Sequence, residues 1–231
     1  MDGPNAVRRP HGVSPDSSTS LLQDCGPLFA RLLFLDDIEP RPAALQMEVD
    51  RALLEAAELP ILRFYRWEAP CMTIGYFQDM AAAQAAHPKL EIVRRWTGGG
   101  NVFHGNDAPY SLIVPRTEPF AAQRPADSYC LIHKRLAAVL SEIDSEIACI
   151  AESAPKQSAE CFENPVANDL MQGSRKIAGA GQRRTRHGLL HQGSVQLGSS
   201  DFPQAWRFAE KLAEGVERMT MPAQVMERAC L

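Results

Sequence analysis

Arg94-Arg95-Trp96-Thr97-Gly98-Gly99-Gly100-Asn101-Val102-Phe103-His104 is the stretch on which the reading of this chain turns. Ile92 and Val93 run into it as a short strand. The three glycines expose backbone N–H groups and reach φ/ψ regions closed to residues with a Cβ. Successive N–H groups can form an anion-binding nest, which a neighbouring guanidinium strengthens. The competing reading is a tight surface turn beside a charged strand. No Gly-x-x-x-x-Gly-Lys-Ser/Thr surrounds the triplet and no Gly-x-Gly-x-x-Gly is present, so neither a P-loop nor a dinucleotide fingerprint explains it. A second stretch, Arg175-Lys176-Ile177-Ala178-Gly179-Ala180-Gly181-Gln182-Arg183-Arg184, repeats the mixture of fixed charge and small residues. Together the two predict one shared acyl or phosphate pocket.

The surrounding pattern gives the frame. Ala43 to Leu59 places Leu45, Val49, Leu53, Leu54 and Ala57 at helical spacing. Ile61 to Trp67 alternates in strand fashion, and Cys71 to Gly75 is a second short strand. Ala81 to His87 reads as a short helix stopped by Pro88. Tyr110 to Val114 is a strand, Ser128 to Ile143 a helix, and Ala151 to Glu160 an exposed loop. Leu170 to Ile177 resembles a hairpin with Gly173 in its turn, Leu189 to Leu197 is a further strand, and Pro203 to Val216 a last helix. Short strands without regular helical crossovers predict an α+β fold with a mixed or antiparallel sheet rather than a doubly wound parallel one.

Length and charge bound the function. The 231 residues fit one domain, expected over residues 27–231, behind a Pro-, Gly- and Ser-rich tail over residues 1–26 that reads as disordered. A net charge of −4 argues against a general nucleic-acid binder. No apolar run approaches the ~20 residues that span a bilayer. Six cysteines form no Cys-x-x-Cys pair, which argues against a zinc site, and reduced thiols in a cytoplasm are the expectation. Cys71, Cys130 and Cys149 read as buried small hydrophobes. Arg183, Arg184 and Arg186 are costly to place together without an anion or carboxylates nearby.

With these motifs in order, the chain resembles the lipoate-attachment branch of the biotin/lipoate protein ligase superfamily. Residues 94–104 are similar to that family's Arg-Arg-x-Ser/Thr-Gly-Gly-Gly/Arg-x-Val-x-His motif. Lys176-Ile177-Ala178-Gly179-Ala180 is similar to its Lys-Ile-x-Gly-Ser/Ala motif, Leu190 to Ser194 to the strand that follows, and Asn168-Asp169 to the step before the hairpin. The likeness runs from about Phe34 to Leu212. It implies an eight-carbon acyl tunnel, a lysine at the acyl carbonyl (Lys176), and an acyl or adenylate site drawn from Gly75, Arg94, Arg95, Thr97, Gly98, Gly99, Gly100, His104, Gly179 and Ala180. The acceptor it implies is a lysine on a lipoyl-domain protein, either glycine cleavage H protein or a 2-oxoacid dehydrogenase E2. The Gly-Arg-Gly-Arg type of signature of biotin ligases is absent.

Two chemistries occur in this branch. A ligase uses ATP and Mg²⁺ to make an acyl-adenylate, with Asp107 the candidate for the cation. A transferase takes a ready-made thioester, for instance from acyl carrier protein, and requires no cofactor. Cys161-Phe162-Glu163-Asn164-Pro165 resembles the Cys-Phe-x-x-Pro segment of cysteine-dependent octanoyltransferases, so Cys161 becomes the candidate nucleophile and Lys176 the stabiliser of its oxyanion. The short chain after the last helix, without room for an accessory C-terminal domain, points the same way. Gly100 and the His104-Gly105-Asn106-Asp107 run divide, since ligases carry Gly-Gly-Gly but a different run after the histidine. A non-catalytic protein that binds acyl groups or lipoyl domains is the third reading. His104 is read as a support residue, Asp107 equally as a turn residue, and Trp96 and Phe103 as tunnel lining or packed core.

Overall fold

A computed structural model describes residues 26–155 and 158–231. The tail expectation falls on residues 1–25, outside the described residues, save for Gly26. The elements run β1 (Phe29–Arg41), α1 (Ala43–Ala56), β2 (Ile61–Trp67), β3 (Cys71–Ile74), α2 (Met80–Ala86), β4 (Glu91–Arg94), β5 (Val102–His104), β6 (Ala108–Pro115), α3 (Pro125–Leu140), β7 (Ile147–Cys149), β8 (Leu170–Gln172), β9 (Arg175–Thr185), β10 (Gly188–Val195), α4 (Ala205–Leu212), β11 (Ala213–Arg218) and α5 (Ala223–Ala229).

The large sheet has the order β11-β1-β2-β6-β10-β9-β8-β7, and a small one the order β4-β3-β5. β1 runs parallel to both of its neighbours, and β6, β10, β9, β8 and β7 are antiparallel in succession. The sheet is therefore mixed, as the sequence implies. β6 shows why it holds. Tyr110, Leu112 and Val114 point into a core shared with Ile132 and Leu136 of α3 and Phe208 and Leu212 of α4. Ile113 points the other way, with Leu190, against Val49 and Leu53 of α1 and Val225 of α5. The period of two thus feeds two helical layers from one strand. Each such side chain contributes about 1.5–3 kcal/mol on burial.

Several expectations are corrected. The helix expected over Pro203 to Val216 ends at Leu212, and Ala213–Arg218 is an edge strand. Leu212 and Val216 keep helical spacing, which is why the pattern reads on as one helix. The sequence reading does not contain β1, β5, β7 or α5. α3 begins at Pro125, where a proline costs no hydrogen bond. Gly173 does sit in the β8–β9 turn, at φ 57°.

Candidate active site

The two glycine-rich stretches meet. β9 and β10 carry Gly179, Ala180, Gly181, Gln192, Gly193 and Ser194 to one wall of a cleft; Thr73, Arg95, Val102, His104, Cys161 and Phe162 form the other, with Met47, Tyr65 and Trp67 completing it. Counting its open mouth, the cleft encloses about 410 Å³. Thr97 bridges the walls by donating from Oγ1 to Gln192 Oε1 at 3.0 Å.

Cys161 opens a single helical turn, Cys161–Glu163, seated on the glycine loop. Asn101 N donates to Ala159 O at 2.9 Å, and Cys161 N to Asn101 O at 2.8 Å. A Cβ on Gly100 would strike the Ala159 carbonyl and come 3.2 Å from Cys161 N, so a glycine there lets the cysteine segment dock. Asn164 ties the segment from the other side, donating to Ser158 O at 3.1 Å and to Glu160 O.

Lys176 rises behind this turn. Its ammonium donates to Cys161 O at 3.0 Å and to Cys161 Sγ at 3.6 Å, and pairs with Asp169 Oδ2 at 2.7 Å. The side chain folds back over Gly179, where a Cβ would lie 2.7 Å from Nζ. Asp169 is fully buried. Its Oδ1 accepts from the Tyr129 hydroxyl at 2.5 Å, and that hydroxyl accepts from Ala180 N at 3.0 Å. Burial first, then the Asp169 charge, pushes the Tyr129 phenol well up, so it stays a donor. Behind it the His133 ring packs tilted against Tyr129, with centroids 4.1 Å apart, and burial lowers its imidazole to about 4.

The arginines are not free. Arg94 Nη1 donates to Tyr76 O at 2.7 Å and Gln78 O at 2.6 Å. Arg95 donates to Gly98 O and Gly100 O at 2.8 Å each and to Thr73 O at 3.2 Å. Arg95 is buried, and that burial lowers its pKa. Both guanidinium groups brace backbone carbonyls, and of the two Arg95 lines the cleft. Gly98, Gly99 and Gly100 lie in the bed beneath it rather than in its lining, and Gly75 packs on the backbone of Gly99.

His104 does line the cleft, in a support network. Its Nδ1 faces Asp107 Oδ2 at 2.7 Å and its Nε2 faces Thr73 Oγ1 at 2.9 Å. Asp107 also accepts from Ser194 Oγ at 2.6 Å and Gly105 N at 3.0 Å. Burial opposes its charge, but these donors outweigh burial and hold its carboxyl below the ordinary value.

Trp96 packs toward α1 and donates to Met47 O at 2.9 Å, while Phe103 is largely exposed; neither lines the cleft. Arg183 stacks on Tyr76 at 4.1 Å, and Arg184 donates to Gln123 O and Ser128 Oγ at 2.8 Å each. An aromatic ring, a carbonyl and a hydroxyl thus meet these two arginines within the protein. Cys71 is buried, and Cys130 and Cys149 are half-buried. Desolvation pushes the Cys71 thiol up to about 12 and Cys149 to about 11, and both are inert fillers. The sequence reading does not pick out Tyr129, Thr73 or Gln192. Gln192 and Ser194 do alternate with His191 and Gly193 along the strand, and polar alternation inside an otherwise buried strand is the signal that marks them.

The order of these parts along the chain is that of a known domain: the profile of the lipoyl protein ligase A/B catalytic domain matches residues 42–228. The chain belongs to this family. Within it, octanoyltransferase LipM of Oceanobacillus iheyensis is 33% identical over 167 residues, covering 68% of this chain and 61% of that protein. The LipM of Carboxydothermus hydrogenoformans is 34% identical over 164 residues, with 67% and 61% covered. The chain therefore spans about three fifths of the length of these curated relatives. A T. acidophilum protein solved with lipoic acid bound shares the lipoyl ligase fold, with a TM-score of 0.63 over 87% of this chain and 93% of that one at 19% identity. Among the described residues no helix is long and apolar enough to cross a membrane.

Proposed function

We propose that this chain transfers an octanoyl or lipoyl group to a lysine of a lipoyl domain, through an acyl thioester on Cys161. The observation that carries the reading is the Lys176 ammonium 3.6 Å from Cys161 Sγ, beside a cleft whose wall includes the small residues Gly179, Ala180 and Gly181. The Cys161 thiolate attacks the carbonyl of an acyl thioester such as octanoyl-carrier protein. The ammonium stabilises the oxygen that gains charge. The carrier thiolate leaves and takes up the proton that Cys161 gave. In the second half the acceptor amine attacks the acyl-Cys161 carbonyl, the Cys161 thiolate leaves, and the amine loses its proton. The net change is one thioester and one amine converted to one thiol and one amide. The LipM relatives are named octanoyltransferases, which supports octanoyl transfer as the reaction.

An ATP and Mg²⁺ route fits these residues less well. Arg94 and Arg95 are spent on carbonyls, and both Asp107 oxygens already accept protein donors. The acceptor is an H protein or an E2 lipoyl domain, and a reducing cytoplasm suits a free nucleophilic thiol. A donor screen tests the reading. Octanoyl-carrier protein, or lipoate with ATP and Mg²⁺, is offered with a purified lipoyl domain whose mass is followed. Acylation by the carrier alone is expected; acylation by lipoate with ATP alone makes the chain a ligase, and binding without turnover makes it an accessory protein.

A further inference from the structure

We infer that Asp169 is a positioning residue for the transfer: it fixes the Lys176 ammonium against Cys161 and, through Tyr129, locks it to the cleft wall. This deepens the acyl-transfer reading and rests on it. Three separate parts of the chain converge on the one carboxylate. Oδ2 holds Lys176 Nζ at 2.7 Å and also accepts from Val166 N at 2.7 Å. Oδ1 accepts from the Tyr129 hydroxyl of α3 at 2.5 Å. That hydroxyl receives Ala180 N, so the backbone lining the cleft and the ammonium behind the nucleophile hang on the same buried group.

The local backbone is shaped for this. Among the described residues Asn168 alone is a non-glycine at positive φ, 72°, a conformation that asparagine tolerates. Its carbonyl faces His133 Nδ1 at 2.7 Å. The strained residue thus turns Asp169 inward, with α3 clamping the turn from behind. Lysine is a point charge on four flexible carbons, and nothing in its own geometry fixes where the ammonium stands. The carboxylate, with the space left over Gly179, supplies that fix. A misplacement of about 1 Å in such a group costs on the order of 100-fold in rate.

Asp169→Asn keeps the shape and removes the charge. Tyr129→Phe keeps the ion pair and removes the strut. Octanoyl transfer from carrier protein to a lipoyl domain is measured for the wild type, both variants and Cys161→Ser, together with the rate of Cys161 alkylation by iodoacetamide, read on its peptide. Asp169→Asn is expected to lower kcat on the order of 100-fold with KM within about threefold, and to slow alkylation at Cys161 about tenfold. Tyr129→Phe is expected to lower kcat about tenfold with the same KM pattern. Two results overturn the inference: both variants turning over within about twofold of wild type, or activity lost while Cys161 alkylates at the wild-type rate, which leaves a structural role only. If Asp169→Asn does not fold, Tyr129→Phe decides alone. If Cys161→Ser retains full transfer while Asp169→Asn still slows alkylation, the thioester reading falls and the positioning role stands.

Discussion

Two buried charge clusters sit in this domain, and they are built differently. On the α1 side, Arg63 of β2 donates from Nη1 to Asp50 Oδ1 at 2.7 Å and from Nη2 to Asp37 Oδ2 at 2.7 Å, with Nε reaching Asp37 as well. Its Nη2 also donates to Gln46 Oε1, so every nitrogen of the planar fork is occupied. Asp50 in turn receives Ser111 and Gln192, and Gln192 receives Thr97 of the glycine loop. On β9, Lys176 has one carboxylate, one carbonyl and one sulfur around its ammonium. The first cluster is saturated; in the second the cation also faces a thiol, which is the reacting atom in the proposed transfer. Burial of charge therefore says little by itself. What separates scaffold from chemistry is whether the last donor ends on a spent acceptor or on a nucleophile.

The largest effect should come from breaking the saturated cluster. Arg63→Met leaves Asp37 and Asp50 buried without their partner and is expected to cost about 3–5 kcal/mol in a urea melt. A loss below about 1 kcal/mol would remove its scaffold role. Breaking the Lys176 cluster should show in kinetics. Lys176→Met is expected to lower kcat about 10²–10³-fold, equivalent to roughly 3–4 kcal/mol, with KM changed far less; retention of most of the wild-type kcat would rule out the oxyanion role.

Acid should strike the Lys176 side through its backing. The folded-state pKa of His133 is depressed to about 4, whereas an unfolded histidine titrates near 6.5. The unfolded chain then binds the extra proton first, so stability is complete above pH ~6.5 and falls as pH drops toward 4, by on the order of 3 kcal/mol. His191 is also pushed well below its ordinary value by burial, then by His133, and adds in the same direction. Urea melts at stepped pH check this, and His133→Phe should flatten the slope. The smallest effect is Trp96→Phe, which loses the bond to Met47 O and should cost about 1 kcal/mol. It should leave transfer nearly unchanged, because the indole braces α1 and does not line the cleft.

The sequence shows these regions unequally. The glycine triplet and Lys176 stand out by residue type and by the small residues around them, whereas Cys161 is singled out only by the family resemblance. β3 and β10 read as strands, and β2 is legible from alternation. β1 is not: its middle, Leu32 to Leu35, packs into both helical layers and carries no alternation, and its end is charged because Asp37 and Arg41 belong to the Arg63 cluster. The arginines carry a structural role that residue type does not announce. A guanidinium beside glycines reads as an anion site, yet Arg95 also holds the carbonyls of Gly98 and Gly100, and Arg94 those of Tyr76 and Gln78. Tyr129 lies on a helix whose apolar face explains its burial, and only the fold brings its hydroxyl to Asp169.

Everything proposed for the reaction depends on Cys161 carrying the acyl group. Intact mass and peptide mapping after incubation with octanoyl-carrier protein test this without intermediaries. One octanoyl adduct is expected, on the Cys161 peptide, discharged on addition of a lipoyl domain. Transfer to the lipoyl domain with no adduct on Cys161, or at full rate in Cys161→Ser, would refute it.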